Sequence, residues 1–326
     1  MSLTHAYRIC DLVLASNTAM PELAPATAFG AECRFELLPP GNPSDGDADW
    51  FHQWTLEENG EEEDSKGVWL RFGRTGDGNL LRFPTSGDFF VSADAATIQC
   101  RPLPGTPEVT VRHLLLDQVM PLVLSRRELI VLHASAVLTG HGVIAFAGES
   151  GQGKSTLAAS LSRDGCSLVS DDCLVLRSEH GSWTALPSYP GVRLWPSAAG
   201  EVLREGTPTE DVAHYTLKRR VCDTDVLPYA SGPAPLRRLF LLADDAGEIL
   251  FERLPPGRAF MALVEFAYNL DIKDTAFLRR QFDTVGRLTA DVPAYAIHYP
   301  REFAALSAVR KAILRHLEKD GDLDAE

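Results

Sequence analysis

The sequence predicts an α/β protein in two parts: a β-rich amino-terminal domain over residues 1–110 and an α/β domain over residues 111–326. Three observations predict this fold. Short apolar runs separated by Gly, Pro, Asn and Asp fill the first part. An apolar run, a glycine-rich turn and a helix-forming run follow one another from residue 143. A chain of 326 residues is also long enough for two domains.

Six segments of residues 1–105 have the pattern of strands: HAYRICDLVLAS, ECRFELL, WFHQWTL, GVWLRFG, NLLRFPTSGDFFVSA and ATIQCRPL. Residues 40–49 are predicted to form a loop, and the acidic runs 57–67 and 318–326 a solvated loop and tail. We therefore expect a small antiparallel sheet here. Whether this domain holds an acceptor or has a structural or oligomer-forming role stays open.

Residues 107–125 have apolar side chains at helical spacing, although Pro121 is expected to kink or end the helix. The segments that follow are predicted as two strands around the turn TGHG, a helix that ends at Gly165, one strand over CSLVSDDCLVLRS, and helices over 259–290 and 301–318. This order of strands and helices is typical of an α/β domain.

Charge and composition exclude several classes of function. The net charge of −14 argues against a nucleic-acid backbone as the main partner, because phosphate backbones bind basic surfaces. No apolar run is long enough for a membrane span, and the amino terminus does not have the pattern of a signal peptide. The six cysteines form no CxxC pair, which is typical of free thiols in a reducing cytosol. We expect a cytoplasmic protein without nucleic-acid or membrane partners.

The segment VIAFAGESGQGKSTLAASL, residues 143–161, contains the pattern GxxxxGK[ST] between an apolar strand and a helix. Glycines let successive backbone N–H groups curl around phosphate oxygens, and the helix amino terminus adds positive potential. In this motif Lys154 reaches the β- and γ-phosphates, and the Ser155 hydroxyl ligates Mg²⁺. The predicted nucleotide-binding residues are Gly148, Glu149, Ser150, Gly151, Gln152, Gly153, Lys154, Ser155 and Thr156.

Two further features lie near this motif in the sequence. Asp171 and Asp172 stand together in LVSDDCLVL, and adjacent carboxylates on a regular strand point to opposite faces. One of them could meet a metal while the other meets a substrate hydroxyl. His133 lies between apolar residues in VLHASAV, a setting that is also typical of a core histidine.

Together LHASAV, GESGQGKST and LVSDD resemble the catalytic domain of the bacterial HPr kinase/phosphorylase family. PPGRAFMALVEFAYN resembles that family's PGR segment, so the resemblance covers roughly residues 128–300. With YRICDLVLAS near the start and PGVRLWPS after the Asp pair, the layout is closer still to HPr-kinase-related proteins of peptide-modification systems, including lasso-peptide tailoring serine kinases.

The resemblance implies an ATP- and Mg²⁺-dependent kinase that phosphorylates a serine of a peptide or small protein. It implies that Asp171 is the base or positioning group for the acceptor hydroxyl, and that Asp172 assists through Mg²⁺. His133 would lie near the transferred phosphate or Asp171. Arg193 and Arg258 would stabilise charge on the moving phosphoryl group. The family also forms homo-oligomers, but no self-complementary surface is evident in this sequence.

The sequence departs from the family after the Asp pair. The bifunctional enzymes carry a motif of the form EIRG, whereas this chain reads YPGVRLW, so the arginine is present and the glutamate is not. That glutamate is linked to metal binding in the family. Its absence leaves the metal ligands open and makes the reverse, phosphorolytic reaction less expected here.

Several alternatives stay open. The same scaffold could serve a kinase of small-molecule hydroxyls or a nucleotide-sensing regulator without transfer activity. The acceptor and the choice of ATP or GTP do not follow from the sequence. The cluster Lys218-Arg219-Arg220 is predicted as a solvated patch, with a landing site for an acidic peptide or phosphate as the alternative.

Overall fold

The computed structural model describes residues 3–27, 30–43, 48–55 and 67–321, and the fold is mixed α/β, as predicted. Of the acidic run 57–67, only residue 67 lies in the described part of the chain. The run 318–326 is not a tail throughout, because residues 318–321 are the last turn of a helix, and residues 322–326 lie outside the described residues. The chain divides into two compact units. Unit 1 comprises residues 1–127, 213–215 and 269–275, and unit 2 the remaining residues. The predicted division into domains of residues 1–110 and 111–326 stays a prediction.

Unit 1 is built on one twisted sheet whose strands follow the order β3-β1-β2-β4-β9-β8-β7-β6-β5. The strands are β1 His5–Ile9, β2 Leu12–Ser16, β3 Ala24–Pro25, β4 Cys33–Leu37, β5 Asp49–Thr55, β6 Val68–Thr75, β7 Gly78–Phe83, β8 Gly87–Ser92 and β9 Thr97–Pro102. Most neighbours are antiparallel, but β4 runs parallel to both β2 and β9. The segment HAYRICDLVLAS forms a hairpin, because Cys10 and Asp11 adopt the positive φ values of its turn.

One continuous helical segment ends the first part of unit 1. It runs as α1 Glu108–Leu114, a π-helical turn Leu115–Val119 and α2 Met120–Ser125. The expected break at Pro121 does not occur. Proline cannot donate to a carbonyl one turn earlier, and the preceding π-helical turn accommodates this locally. The segment therefore stays helical across the proline.

Unit 2 contains the remaining strands. They are β10 Ile130–Leu132, β11 Ala134–Thr139, β12 Gly142–Ala147, β13 Ser167–Ser170, β14 Leu174–Glu179, β15 Ser182–Leu186, β16 Val192–Leu194, β17 Glu210–Asp211, β18 Arg219–Val221, β19 Ala234–Asp245, β20 Leu250–Leu254 and β21 Ala294–Tyr299. The main sheet follows the order β10-β14-β15-β19-β12-β11-β13, with β21 beside β19 and β20 beside β21. A small sheet of order β16-β18-β17 stands apart.

Helices cover both faces of the main sheet of unit 2. They are α3 Lys154–Arg163, α4 Pro196–Val202, α5 Pro256–Phe266, α6 Thr275–Asp291, a 3-10 turn Phe303–Ala305 and α7 Leu306–Gly321. Along β12, Val143 and Ala145 pack in one hydrophobic cluster with α5 and α6, whereas Ile144 and Phe146 pack in another with α3 and α7. This alternation follows from the two-residue period of a strand. Within the described ranges, no helix combines the length and apolar character that crossing a bilayer requires.

Three predicted elements of unit 2 are divided in the structure. The strand predicted before the turn TGHG is two strands, β10 and β11, which His133 separates. The strand over CSLVSDDCLVLRS is two strands, β13 and β14, separated at residues 171–173. The helix over 259–290 is also two, since residues 267–274 between α5 and α6 are not helical. Apolar residues stand on both sides of each interruption, and the sequence analysis joined them into one element.

Candidate functional site

The glycine-rich loop joins β12 to α3 in the order that the sequence predicts. Gly151 and Gly153 have φ values of 83° and 91°, in the left-handed region where a Cβ is strained. No atom lies within 4 Å of a Cβ built on Gly151, so that glycine is required by its backbone angle and not by crowding. Gly153 is also the residue before α3, so the loop ends at a helix amino terminus.

Lys154 folds back over the loop that precedes it. Its Nζ donates hydrogen bonds to the carbonyl oxygens of Gly148 and Glu149, at 2.7 and 2.8 Å. Burial lowers the pKa of the Lys154 ammonium. The loop is braced at another point, because Glu149 N donates to the Gln152 Oε1 at 2.9 Å. The Lys154 ammonium is therefore held beside the loop by two uncharged carbonyl oxygens, and a negatively charged ligand could replace them as hydrogen-bond acceptors.

A small pocket lies against this loop, and we call it the loop pocket. It is lined by His133, Ser150, Gly151, Gly153, Lys154, Ser155, Thr156, Asp172, Arg193, Leu194, Trp195 and Lys218. Three of these residues are basic, in a chain whose net charge is −14. The loop pocket thus concentrates positive charge where the loop N–H groups and the α3 amino terminus also add positive potential.

Asp171 is buried beside the loop pocket and is fully engaged. Its side chain has no exposed surface. Its carboxylate accepts hydrogen bonds from the Ser135 hydroxyl at 2.8 Å and from the Arg193 backbone N–H at 2.9 Å. The Ser155 side chain also hydrogen-bonds to Asp171. Burial, and then the neighbouring Asp172, raise the pKa of Asp171, while Arg193 opposes that shift.

Asp172 faces the loop pocket, whereas Asp171 does not line it. Asp172 has a left-handed φ of 62°. This conformation is uncommon for residues other than glycine, although asparagine and aspartate adopt it more often than most. Its Oδ1 lies 3.9 Å from His133 Nε2, and its side chain is 19% exposed. The two carboxylates point to different environments because the chain turns here, and not because they alternate along a strand. The carboxylate that a ligand in the pocket could reach is that of Asp172, and not that of Asp171 to which the resemblance gives the base.

His133 enters the loop pocket from the junction of β10 and β11. The His133 backbone N–H donates a hydrogen bond to the Phe266 carbonyl at 2.7 Å, which holds the His133 main chain in place. Burial lowers the pKa of the imidazole, and Lys154 and Lys218 lower it further. Asp172 acts in the opposite direction. The ring is therefore neutral near pH 7.

Arg193 joins the two carboxylates. Its Nε lies 3.4 Å from Asp171 Oδ2 and 3.6 Å from Asp172 Oδ2, and one Nη donates to the Asp171 carbonyl. The guanidinium also donates to the Tyr189 hydroxyl at 3.0 Å. Only 3% of the side chain is exposed. This arginine is part of the pocket wall and holds the turn after β13 in place.

Comparison with solved structures finds similar chains, one of which is a kinase/phosphatase. The Hpr(Ser) kinase/phosphatase from Coxiella burnetii is 15% identical to this chain, and the match covers 58% of this chain and 97% of that chain with a TM-score of 0.31. No family model matches this chain, and no curated protein matches it.

The other predicted basic residues are dispersed. Arg258 lies near the start of α5, 65% exposed, and pairs with Glu252 at 2.7 Å, so it does not line the loop pocket. Of the cluster at 218–220, only Lys218 lines that pocket. Arg219 pairs with Asp211, and Arg220 is buried. The predicted solvated patch is therefore not one surface but three residues in three environments.

A larger cavity adjoins the loop pocket, and we call it the side cavity. Its volume is about 470 Å³. It shares Gly151, Gly153, Thr156 and Trp195 with the loop pocket. The lining also includes Asp244, Asp245, Tyr299, Arg301, Glu302 and Phe303. The two spaces thus meet along one stretch of the glycine-rich loop.

The oxygen donors at the loop pocket suit Mg²⁺. The Ser155 hydroxyl and the Asp172 carboxylate both line it, and Mg²⁺ prefers oxygen ligands. Among the described residues, no group of three or more His, Cys, Asp or Glu side chains could hold a metal by itself. That donor set fits Mg²⁺, which commonly takes one or two protein ligands together with substrate phosphates.

Sequence reasoning missed several residues that shape the site. Ser135 hydrogen-bonds to Asp171 and Tyr189 to Arg193, but neither belongs to a motif that marks it in the sequence. Trp195 lines the loop pocket. For Trp195 a signal existed, because it lies in the segment PGVRLW that also contains Arg193.

Proposed function

We propose that this chain is an ATP- and Mg²⁺-dependent kinase that transfers the γ-phosphate to a serine hydroxyl of a peptide or small protein. One observation carries the proposal: the Asp172 carboxylate faces the same small pocket as Lys154 and Ser155 of the glycine-rich loop. A phosphate held by the loop would therefore lie beside a carboxylate that can accept a proton. Phosphoryl transfer needs little more than this positioning and charge neutralisation.

The loop and its lysine bind the phosphates. Backbone N–H groups from Gly148 to Thr156 would surround the β- and γ-phosphate oxygens. The Lys154 ammonium would exchange its two carbonyl partners for a phosphate oxygen, which is a stronger, charged acceptor. Lys218, on another wall of the loop pocket, is placed to add a second positive charge.

The acceptor hydroxyl would approach the γ-phosphate from the side of His133 and Asp172. As the bond from the serine oxygen to phosphorus forms, the bond from the γ-phosphorus to the bridging oxygen breaks and ADP leaves. Asp172 accepts the hydroxyl proton. His133, which is neutral near pH 7, packs beside this carboxylate without neutralising its charge.

Mg²⁺ would be held by Ser155 and Asp172, and when bound it supplies charge neutralisation between the β- and γ-phosphates. Asp171 supports this arrangement from behind. It bonds to Ser155 and to Arg193, so it orients one candidate metal ligand and the wall of the loop pocket together. We therefore assign Asp171 to positioning and Asp172 to proton transfer, and Arg258 to no role in the loop pocket.

The test is phosphotransfer to a peptide acceptor. Purified protein, Mg·ATP and serine-bearing peptides encoded by neighbouring genes would be incubated, and mass spectrometry would read the gain of one phosphate. Asp172→Asn should lower the transfer rate by at least about 10²-fold while ATP still binds, because it removes the general base and one of the two Mg²⁺ ligands together. Lys154→Ala should weaken both ATP binding and transfer.

Asp225→Asn is the matched control, because Asp225 is exposed and lies outside the loop pocket. It should leave transfer unchanged. Full transfer by Asp172→Asn would overturn the assignment of the base. ATP binding without phosphate on any peptide, and with phosphate on an added small-molecule alcohol, would replace the peptide acceptor with a small-molecule one. Binding with no transfer at all would overturn the kinase.

A further inference from the structure

We propose that the side cavity holds the nucleoside half of the nucleotide, with its base against Phe303 and its hydrogen-bond donors on the carboxylates of Asp244 and Asp245. This inference rests on the proposed function, because it assumes that the loop pocket holds the phosphates. It adds binding residues that lie outside the glycine-rich motif.

The position of the side cavity is the first step. It meets the loop pocket along Gly151, Gly153 and Thr156, so a group joined to loop-bound phosphates would reach it directly. Asp172 and His133 line the loop pocket and not the side cavity. The acceptor hydroxyl must meet Asp172, so the side cavity is left for the nucleoside. Its volume of about 470 Å³ lies within the range of small-molecule sites.

The chemistry of the lining is the second step. Asp244, Asp245 and Glu302 give this cavity three carboxylates against one guanidinium, that of Arg301, so its net negative charge repels phosphate. Carboxylates accept hydrogen bonds from neutral donors, and a nucleoside offers such donors in its ribose hydroxyls and the amino group of its base. The charges of the two spaces therefore favour different parts of the nucleotide. The basic loop pocket favours the phosphates, and the acidic side cavity favours the nucleoside.

Aromatic surface in the side cavity is the third step. Phe303, on the 3-10 turn before α7, is 40% exposed although it is a large apolar side chain. Trp195 is 46% exposed and lies where the two spaces meet. Exposed aromatic rings at the edge of a cavity offer a surface on which a base can stack, since every base has a π-face.

Arg301 fixes the side cavity to the loop, which is the fourth step. Its guanidinium carbon lies 4.1 Å from the Tyr299 ring centroid, and it donates to the Gln152 carbonyl at 2.6 Å and to the Ala243 carbonyl. The Arg301 backbone N–H also donates to Asp245 at 3.3 Å. One residue therefore ties the cavity wall, the end of β19 and the glycine-rich loop together. The distance between the two halves of the site is fixed before a ligand binds.

Calorimetric titration with three probes tests this division: Mg·ATP, Mg·GTP and magnesium tripolyphosphate, which has the phosphates without the nucleoside. Wild-type protein should bind a nucleotide at least tenfold more tightly than tripolyphosphate. Phe303→Ala should weaken nucleotide binding about tenfold, the effect of losing one stacked ring, and change tripolyphosphate binding less than about twofold. Phe282→Ala, 42% exposed on α6, is the matched control and should change neither.

Asp244→Asn tests the carboxylates. It should weaken ATP binding several-fold and leave tripolyphosphate binding unchanged or tighter, because a repelling charge is removed. Titration with 2′,3′-dideoxy-ATP locates the donor. If the ribose hydroxyls bind Asp244, wild type and variant should bind this analogue equally; if the base amino group does, the difference should persist.

The outcomes separate the two proposals. The nucleoside site in the side cavity would be overturned if the wild type bound nucleotide and tripolyphosphate equally. It would also be overturned if neither Phe303→Ala nor Asp244→Asn weakened nucleotide binding. Both results would leave the proposed kinase function intact. Failure of the wild type to bind any of the three probes would overturn the proposed function itself. Lys154→Ala should weaken all three probes.

Discussion

Asp171 and Asp172 are neighbours in the chain, but their carboxylates meet opposite surroundings. Asp171 directly follows β13 and is buried among Ser135, Ser155 and Arg193. Asp172 turns through a left-handed φ and reaches the loop pocket. A single residue step therefore separates a carboxylate that holds the site together from one that can meet a ligand. Single substitutions should distinguish the structural role of Asp171 from the ligand-facing role of Asp172.

Removing Arg193 should destabilise the fold more than removing an exposed arginine. Arg193→Gln leaves the buried Asp171 without its charged partner, and breaking a buried pair in this way costs about 3–5 kcal/mol in the free energy of unfolding. Arg258→Gln, which breaks an exposed pair with Glu252, should cost less than about 1 kcal/mol. Urea denaturation of both variants measures the difference, and equal losses would contradict the role given to Arg193.

The charges around His133 should set its titration in the metal- and nucleotide-free protein. The pKa of His133 lies below its usual value of about 6.5, chiefly through burial. Asp172→Asn should lower it further, because the carboxylate favours the imidazolium. Lys154→Met should raise it, because the ammonium disfavours the imidazolium. NMR titration of the ring measures both shifts, with His133→Gln to identify its resonance; shifts of the opposite sign would contradict this electrostatic arrangement.

The same shift makes stability depend on pH in a known direction. Since the folded pKa of His133 is lowered, the unfolded chain binds the proton more readily as pH falls below about 6.5. The free energy of unfolding should therefore fall on acidification from that pH down to the folded pKa. His133→Gln should flatten this part of the stability–pH curve, measured by urea denaturation, and a curve of unchanged slope would count against the shift.

At the scale of elements, the strand–loop–helix unit was predictable because its signals are local. β12, the glycine-rich loop and α3 have their own apolar pattern, glycines at positive φ and a helix-forming run. The end of α3 at Gly165 was predictable for the same reason, since that residue has a φ of 105°. Elements whose ends depend only on nearby residues are within reach of sequence analysis.

Elements whose ends depend on distant partners were not predictable. The turn at residues 171–173 divides a run of β-forming residues because Ser135 and Arg193, both distant in sequence, hold the Asp171 carboxylate. Residues 267–274 divide a run of helical periodicity, and Asp271 within them is held by arginines of unit 1. For the same reason the sequence proposed the Asp pair as candidate site residues but did not indicate which carboxylate of the pair faces the loop pocket.

At the scale of the whole molecule, unit 1 is not one continuous stretch of chain. It includes residues 269–275, whose Asp271 has no exposed side-chain surface. The Asp271 carboxylate accepts hydrogen bonds from Arg74 of β6 at 2.7 Å and from Arg126, just after α2, at 2.8 Å. A buried charge with two cationic partners is costly to leave incomplete. The stability of unit 1 therefore depends on a segment that lies far along the chain.

Asp271→Asn in the full chain should destabilise unit 1 by about 3 kcal/mol, because it removes the charge shared by two arginines. Lys273→Gln, in the same segment, breaks only an exposed pair with Asp49 and should cost less than about 1 kcal/mol. Hydrogen–deuterium exchange of peptides from β6 measures the local opening free energy in each variant. A fragment of residues 1–127, which lacks Asp271 altogether, should exchange at least as fast as Asp271→Asn. Exchange in the fragment as slow as in the wild-type chain would mean that unit 1 folds without its distant segment.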